Sequence, residues 1–427
     1  MRNQVARPVA IVGGLRIPFC RSHTAYRHCS NQDMLTAVLR ALVERYDLTG
    51  EKLGDAAFGA VMKHSRDWNL ARESLLSSGL APETPAFDLQ RACGTSLSAA
   101  VLIASKISTG LIDSGLAGGA DTLSDLPIVY PDAYRHLLLE SARGRSIGEK
   151  IKPWLGLRPR HFKPVFPGVV EPRTNLSMGQ SMELTAKEWR LTRADQDQLA
   201  LESHQKAARA YEEGYYDDLV VEFNGVTRDN NVRADSSLEQ LARLKPVFDR
   251  SETGTITAGN STPLTDGASA VLLASEEWAQ ARSLPIRAYL TYAKVAAVDF
   301  VNGEGLLMAP AYAVSALLAD ANLSLQDFDF YEIHEAFAAQ TLATLKAWES
   351  ETFCKERLGR TVSLGSIDRD KLNVKGGSVA LGHPFAATGA RIVGSLAKLL
   401  HEKGSGRGLI SVCTAGGMGV TAILEAP

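Results

Sequence analysis

Short apolar runs that predict strands recur along the chain and alternate with longer helical patterns. The opening run PVAIVGG predicts a buried strand that begins at Val9 and enters a turn. Further strands are predicted at 56–62, 113–121, 268–275, 328–336 and 406–419, and helices at 33–45, 94–110, 310–321 and 385–402. This alternation favours an α/β fold.

Two distant segments share one layout. Residues 93–110, CGTSLSAAVLIASKISTG, predict a helix rich in small residues that is followed by GLAGGAD. Residues 382–400, GHPFAATGARIVGSLAKLL, predict a second helix that is followed by GLISVCTAGG. In both segments a reactive side chain stands at or just before the helix start. A long internal similarity can mark a duplicated domain; coincidence between two common αβ units is the alternative.

The length of the chain predicts more than one domain. At 427 residues it exceeds one ordinary core and suggests two or three domains. The stretch 122–249 differs from its flanks, with few apolar strand runs and many prolines and charges. We therefore predict an N-terminal half over 1–121 that is completed by 250–275, an inserted loop domain over 122–249, and a C-terminal half over 276–427.

Charge and cysteine content exclude several classes of protein. The net charge of -2 supplies no general attraction for nucleic acid, so we predict no nucleic-acid partner. The five cysteines are scattered, with no CxxC pair, which favours a reducing compartment. About eight residues precede the first predicted strand, too few for a signal peptide, and no apolar run approaches the ~20 residues that cross a bilayer. These features predict a cytoplasmic protein.

One stretch is locally basic. Residues 135–163 contain eight Lys or Arg against only Glu140 and Glu149. Such an excess can bind phosphate, an anionic membrane face or an acidic partner. A solvated loop or helix face is the alternative.

Cys93 has the context of a nucleophile. It stands in DLQRACGTSLSAA, where an extended run turns into a helix rich in small residues. The free NH groups and the positive dipole end of a helix start favour a thiolate, so we expect its pKa to lie below the usual ~8.5. An inert core cysteine is the alternative.

Three further side chains have matching contexts. His383, in GHPFAATGAR at a glycine-lined helix start, has an ordinary pKa near ~6.5 that suits a base for the thiol of Cys93. Cys413, in SVCTAGGMG, precedes glycines whose NH groups can face an anion, and a second thiol can move a proton at carbon. His334, in HEAFAAQ, stands where it could position a water or a carbonyl oxygen. Packed or hydrogen-bonded structural roles are the alternative for each.

In this order, the segments QRACGTS, HEAFAAQ, NVKGGSVALGHPFAATGAR and CTAGGMG resemble the four active-site segments of the thiolase family. The segment AGNSTPLTDGASA (258–270) also resembles the one that precedes the second half in thiolases, so the resemblance spans nearly the whole chain. It implies a duplicated αβαβα layered fold with an inserted loop domain, and a homodimer or tetramer.

The resemblance also implies the chemistry. Cys93, activated by His383, would accept the acyl group of a 3-oxoacyl-CoA, and Cys413 would move the proton at the carbon of acetyl-CoA. The backbone NH groups of Cys93 and Ala415 would hold one oxyanion. His383, with a water held by His334, would hold the enolate oxygen. Coenzyme A is then a co-substrate, with no permanently bound cofactor and no metal.

Departures from the common family pattern point to a subgroup. Many thiolases have NEAF where this chain has HEAF at 334–337, and many have glycine at Ala415. HEAF resembles the thiolases that act on longer fatty acyl chains, and 135–163 fits docking to a multifunctional β-oxidation enzyme or to a membrane surface. Ser177 and Met178 replace a histidine-methionine pair of short-chain thiolases. We predict medium- to long-chain 3-oxoacyl-CoA thiolysis in fatty acid β-oxidation.

The resemblance implies contacts to CoA as well. It points to residues along the pantetheine and, last, one near the acyl group: Phe248, Ala258, Thr262, Phe337 and Met178. Arg228 and Arg233 are among several candidates for the CoA phosphates.

Other functions compete with this one. A short-chain acetyl-CoA C-acetyltransferase would make or cleave acetoacetyl-CoA. A decarboxylating ketoacyl synthase pairs its cysteine with two histidines, as His334 and His383 would allow, and a non-catalytic acyl-CoA-binding subunit would keep the fold without turnover. A cysteine protease would leave Cys413 and the glycine segments unexplained. The second cysteine, followed by AGGMG, favours the thiolase.

Overall fold

A ten-stranded mixed sheet runs through the protein, with helices packed against it. The structure is a computed structural model and describes residues 6–427. The strands are β1 Val9–Arg16, β2 Cys20–Arg21, β3 Asp55–Phe58, β4 Phe87–Asp88, β5 Ser114–Asp121, β6 Thr265–Ser275, β7 Ala288–Ala297, β8 Phe330–Ile333, β9 Arg407–Thr414 and β10 Met418–Glu425. The α-helices are α1 Asn31–Arg45, α2 Leu70–Leu76, α3 Thr95–Ser108, α4 Asp132–Arg143, α5 Ile147–Ile151, α6 Met178–Glu188, α7 Arg193–Glu212, α8 Leu238–Ala242, α9 Glu276–Ala281, α10 Ala309–Ala321, α11 Ala338–Glu349, α12 Glu351–Glu356, α13 Ser378–Leu381 and α14 Thr388–Lys403.

The strand order β4-β3-β5-β6-β1-β7-β10-β9-β8 repeats one unit on both sides of its centre. On one side β3 and β5 are parallel, and β6 and then β1 follow antiparallel. On the other side β8 and β9 are parallel, and β10 and then β7 follow antiparallel. A helix leads into the equivalent strand of each unit, α3 into β5 and α14 into β9. The predicted α/β class and duplicated layout are confirmed.

Alternating side chains place the helices in layers. On β6, Val271 and Leu273 pack in the cluster that contains α3 and α14, whereas Leu272 and Ala274 pack in the cluster that contains α1. On β9, Ile410 belongs to the central cluster, and the neighbouring Leu409 packs instead with α10 and α11. Helices α3 and α14 therefore form a central layer between the two units.

The central helices approach each other closely. The NH of Ala390 on α14 donates to the hydroxyl of Ser96 on α3 at 2.9 Å. A Cβ at Gly389 would lie 2.4 Å from the NH nitrogen of Leu97, so this position requires glycine. Because residues just before the two helices were predicted to be reactive, this contact brings the two predicted active-site segments together.

Some element bounds differ from the predictions. The predicted strand over 406–419 is the hairpin of β9 and β10, and the predicted strand over 56–62 ends at Phe58. The predicted loop domain over 122–249 contains the five helices α4 to α8 and no strand of the sheet. Within residues 6–427, no helix combines the length and apolar character needed to span a bilayer.

Candidate active site

Cys93 lies on a tight turn just before α3. Ala92 has a φ of 43°, in the left-handed region that residues with a side chain rarely adopt. Thr95 holds the turn, because its hydroxyl donates to the carbonyl of Ala92 at 2.7 Å and accepts from the NH of Arg91 at 2.8 Å. The helix start thus fixes the direction of the Cys93 side chain.

The thiol of Cys93 is not activated in the way expected from its position in sequence. Burial raises the pKa of Cys93 to about 12, although the NH groups of Ala415 and of Cys93 itself lower it. The expected decrease in pKa was wrong, because loss of water around the sulphur outweighs the backbone dipoles. At neutral pH the group is a thiol that needs a base to become a nucleophile.

His383 follows α13 and precedes the central helix α14. Its Nδ1 lies 2.6 Å from the hydroxyl of Thr388, and its Nε2 is buried without a hydrogen-bond partner among the described residues. Burial, with the neighbouring Arg391, lowers the pKa of His383 to about 3. The imidazole is therefore neutral at neutral pH and able to accept a proton.

His334 follows β8 and is completely buried beside His383. The two ring centroids are 4.1 Å apart. One ring nitrogen of each histidine and Sγ of Cys93 all lie within 4.8 Å of one another. Burial, then His383 and Arg391, lower the pKa of His334 well below its usual value. These spacings would also admit a metal ion, but a thiol beside a neutral imidazole is sufficient for acyl transfer.

Buried hydrogen bonds fix the loop that carries His334. The carboxylate of Glu335 accepts from the hydroxyl of Ser203 at 2.7 Å and from the amide of Asn373 at 2.6 Å. Asn373 also bonds both the NH and the carbonyl of Ile333 at 2.9 Å. The segment before His383 and the end of β8 therefore hold each other in place.

Cys413 lies at the end of β9 and is 1% exposed. Burial, followed by the nearby Cys93, raises the pKa of Cys413 well above its usual value. The next residues form the turn into β10, where Gly416 has a φ of 78° and its NH donates to the carboxylate of Glu171 at 2.5 Å. This turn holds the NH of Ala415 against the sulphur of Cys93.

One cavity of about 440 Å³ joins Cys93, His383 and Cys413, whereas the completely buried His334 is not part of its wall. Its wall includes Cys93, His383, Cys413 and Ala415. Much of the remaining wall is apolar and includes Val61, Met62, Val169, Leu264, Leu307 and Phe385. The cavity can therefore enclose an acyl chain next to the reactive thiols.

Most residues predicted to contact CoA lie in the same wall. These residues are Met178, Phe248, Thr262 and Phe337. The rings of Phe248 and Phe337 meet edge to face with centroids 5.8 Å apart. Ala258 is exposed and does not line the cavity, and Arg228 and Arg233 are also exposed and outside it.

Sequence reasoning missed the residues that support the reactive groups. The hydroxyl of Thr388 contacts Nδ1 of His383, and the hydroxyl of Ser378 contacts Nδ1 of His334. Thr388 and Ser378 both belong to the motif that contains His383. Asp121 accepts from the NH of Met62 and of Ala386 at 2.7 Å each, which ties two cavity segments together. Its position at the end of the GLAGGAD strand was the available indication.

Comparisons with known proteins agree with this arrangement. Residues 9–277 match the thiolase N-terminal domain, and residues 284–426 match the thiolase C-terminal domain. The chain is 42% identical over 423 residues to the 3-ketoacyl-CoA thiolases of Yersinia pestis (strain Pestoides F) and Yersinia pseudotuberculosis serotype O:1b (strain IP 31758), covering 98% of this chain and 96% of each relative. The crystal structure of the Bacillus anthracis acetyl-CoA acetyltransferase matches with a TM-score of 0.82 and 30% identity, over 99% of this chain and 100% of that one.

The fold and the family matches define an acyltransferase built from two similar halves. The chain belongs to the thiolase family.

Proposed function

We propose that the protein is a 3-oxoacyl-CoA thiolase that transfers an acyl group to CoA through an acyl-Cys93 intermediate. The supporting observation is that Cys93, His383 and Cys413 line one largely apolar cavity. Relatives at 42% identity over nearly their whole length are named 3-ketoacyl-CoA thiolase. The products of cleavage are acetyl-CoA and an acyl-CoA shortened by two carbons; the reverse reaction is a Claisen condensation.

In the first step, the sulphur of Cys93 attacks the C3 carbonyl carbon while its proton passes to Nε2 of His383. Both groups are neutral before the substrate binds, so charge develops only during the reaction. The NH groups of Cys93 and Ala415 hold the oxygen that becomes negative. Loss of one such donor typically costs about 3 kcal/mol of transition-state stabilisation.

The bond between C2 and C3 then breaks, and its electron pair stays on C2 as the enolate of acetyl-CoA. Cys413 donates its thiol proton to C2, while His383, together with a water held by His334, binds the enolate oxygen. Because its surroundings raise the pKa of Cys413, the thiolate left behind is a strong base. A strong base suits the reverse reaction, in which a proton leaves carbon.

Coenzyme A completes the cycle as a co-substrate. Its thiol proton returns to the thiolate of Cys413, and its sulphur attacks the thioester on Cys93. The departing sulphur of Cys93 recovers its proton from His383, so every group regains its starting state. No permanently bound cofactor and no metal takes part in these steps.

We place the pantetheine along Phe248, Thr262 and Phe337, with Met178 near the acyl group. These four residues share the cavity wall with the reactive groups. Ala258 would contact the ligand only outside the cavity, and the phosphates would then meet exposed basic residues such as Arg228 and Arg233.

An apolar cluster beside the nucleophile supports medium- to long-chain substrates in β-oxidation. Met62, Leu123 and Phe385 form this cluster, and Cys93 and Val169 pack against it. A short-chain acetyl-CoA C-acetyltransferase is the second candidate, because the Bacillus anthracis acetyl-CoA acetyltransferase has the same fold at 30% identity.

The test is cleavage of 3-oxoacyl-CoA thioesters with four to sixteen carbons in the presence of CoA, followed by loss of the enolate absorbance. We expect cleavage at medium and long chain lengths, and its loss in Cys93→Ala. Cys354→Ala is a matched control, because Cys354 is a buried cysteine outside the cavity wall. Cleavage confined to four carbons would support the short-chain candidate, and no cleavage at any length would contradict the proposal.

We also propose that residues 135–163 bind an anionic membrane surface. Basic residues there lie near exposed apolar side chains, including Ile147 at 78% and Leu155 at 83% exposure. Co-sedimentation with phosphatidylglycerol vesicles, and not with phosphatidylcholine vesicles, is expected, and Leu155→Asp should weaken it. Val362→Asp is the control at an exposed apolar position outside this stretch. If the protein does not co-sediment, the membrane proposal is wrong. Docking to a multifunctional β-oxidation enzyme is then the remaining candidate, and a pull-down tests it.

A homodimer or tetramer in the cytoplasm completes the proposal, as the family resemblance implies. Light scattering of the purified protein would give the number of subunits. Cell fractionation would give the location, and a protein recovered only outside the cytoplasm would contradict it.

A further inference from the structure

The hydroxyl of Thr388 contacts His383 in a way that allows Nδ1 of the ring to carry the proton. Its oxygen lies 2.6 Å from Nδ1 of His383 and 3.2 Å from the carbonyl oxygen of Pro384. The hydroxyl proton can go to the carbonyl of Pro384, which also accepts from the NH of Ala387 at 3.0 Å, and the proposed role of His383 as the base for Cys93 selects this direction. Nδ1 of His383 is then the donor to Thr388. Its Nε2 keeps a lone pair, as a base requires.

The contact to His334 has the opposite direction. The hydroxyl oxygen of Ser378 lies 2.8 Å from Nδ1 of His334 and 2.8 Å from a terminal guanidinium nitrogen of Arg391. Arginine can only donate, so the serine oxygen accepts from it. This uses one of the two lone pairs of the serine oxygen, and among residues 6–427 Nδ1 of His334 is the one acceptor within reach of the serine proton. The proton of that ring then resides on Nε2.

Arg391 is buried, and its hydrogen bond to Ser378 has only one possible direction. It lies on α14 with 5% of its surface exposed, and the carboxylate of Glu332 on β8 is 3.8 Å from its guanidinium. Guanidinium groups do not lose their proton in proteins. The direction of the hydrogen bond from Arg391 to Ser378 cannot reverse, whereas a neutral donor in its place could.

We propose that Arg391 and Ser378 are positioning residues that fix His334 as an Nε2–H donor to the water at the enolate oxygen, opposite in tautomer to the base His383. The geometry supports this because both Nε2 atoms are buried without a partner among residues 6–427. If both Nε2 atoms carried lone pairs, they would repel an enolate oxygen. If both carried protons, Cys93 would have no base. The proposal rests on the proposed thiolase function.

Nitrogen NMR of the free enzyme tests the tautomers without any turnover. In protein labelled with ¹⁵N-histidine, protonated and unprotonated ring nitrogens have well-separated shifts, and His334→Asn and His383→Asn assign the two rings among the nine histidines. We expect a protonated Nε2 in His334 and a protonated Nδ1 in His383. Ser378→Ala should change the tautomer balance of His334 and leave His383 as it was.

Two NMR results would overturn the proposal. One is a proton on Nδ1 of His334 in the unsubstituted enzyme, and the other is an unchanged His334 ring in Ser378→Ala. Failure of the thiolase function itself would instead show as absence of cleavage by the unsubstituted enzyme, so the two failures are distinguishable.

Kinetics separate positioning from simple structural support. Ser378→Ala should lower kcat for cleavage about 10-fold or more with little change in KM, because it weakens a donor used in the transition state. In a His334→Asn background the same substitution should cost less than about twofold, because its effect acts through His334. An equal loss in both backgrounds would overturn the proposal. Ser74→Ala is the control, since Ser74 is a buried serine that has no hydrogen-bond partner within residues 6–427 and lies outside the cavity wall.

Discussion

The rings of His334 and His383 lie with centroids 4.1 Å apart and planes inclined by 49°. Protonating either ring would place a buried cation beside the other and near Arg391. Burial and Arg391 lower the pKa of His383 to about 3, so the base remains deprotonated as pH falls through 6.5 to 5. We expect kcat/KM for cleavage to show no acid limb near pH 6.5. A pH profile from 5 to 8 checks this, and a loss of rate with an apparent pKa near 6.5 in the free enzyme would contradict it.

Alkylation of Cys93 should follow a different pH dependence from that of an activated cysteine. Because burial raises its pKa to about 12, the thiolate fraction at pH 7 is small and should rise about tenfold for each pH unit up to 10. Iodoacetamide modification of the Cys93 peptide, followed by mass spectrometry, measures the rate at each pH. A rate that is already constant between pH 7 and 9 would show that the thiol is ionised in the resting enzyme.

The sequence identified the reactive side chains because each stands in a short motif with an unusual context. Cys93, His383 and Cys413 were all predicted, and all three line the cavity. The state of the thiol could not be predicted in the same way. The direction of the pKa shift of Cys93 depends on how completely Cys93, Ala415 and their surroundings exclude water. This enclosure forms only when the two halves meet.

The elements that were missed had weak local patterns. Strand β7 has Thr291, Tyr292 and Lys294 between apolar residues, and Thr291 and Tyr292 are both exposed, so no run of buried residues marks it. Likewise, Ser378 contacts His334 across 44 positions of sequence, a pairing that no local motif reveals. Local patterns predicted the class and the motifs, whereas the contacts that tune the site depend on tertiary packing.

Gly94 should be intolerant of even one methyl group. A Cβ there would lie 2.8 Å from Cγ2 of Thr414 and 2.9 Å from Cγ2 of Val420, on the strands that meet at the Ala415 turn. We expect Gly94→Ala to destabilise the protein by about 1–3 kcal/mol. It should also lower kcat/KM by at least about tenfold, because Cys93 is the next residue and small displacements of a nucleophile are costly.

Thermal unfolding and cleavage kinetics check this prediction against Gly148→Ala. A Cβ at Gly148 would meet no atom of the described part of the chain within 4 Å, so the control should retain the original melting temperature and activity. Equal melting temperatures for the two variants would show that the structure relaxes around Gly94 without cost.

Chain-length preference should depend on Met62. Its side chain is 7% exposed, lines the cavity, and packs with Phe385 in the cluster beside Cys93. Met62→Trp fills space that a long acyl chain would use. Cleavage of twelve- to sixteen-carbon substrates should therefore fall at least about tenfold relative to cleavage of the four-carbon substrate. The control Val362→Trp, at a position that is 70% exposed, should not change that ratio. The ratio of kcat/KM values across the substrate series measures the effect. If Met62→Trp lowers all chain lengths equally, the acyl chain runs along another wall of the cavity, and the specificity assigned to this cluster is wrong.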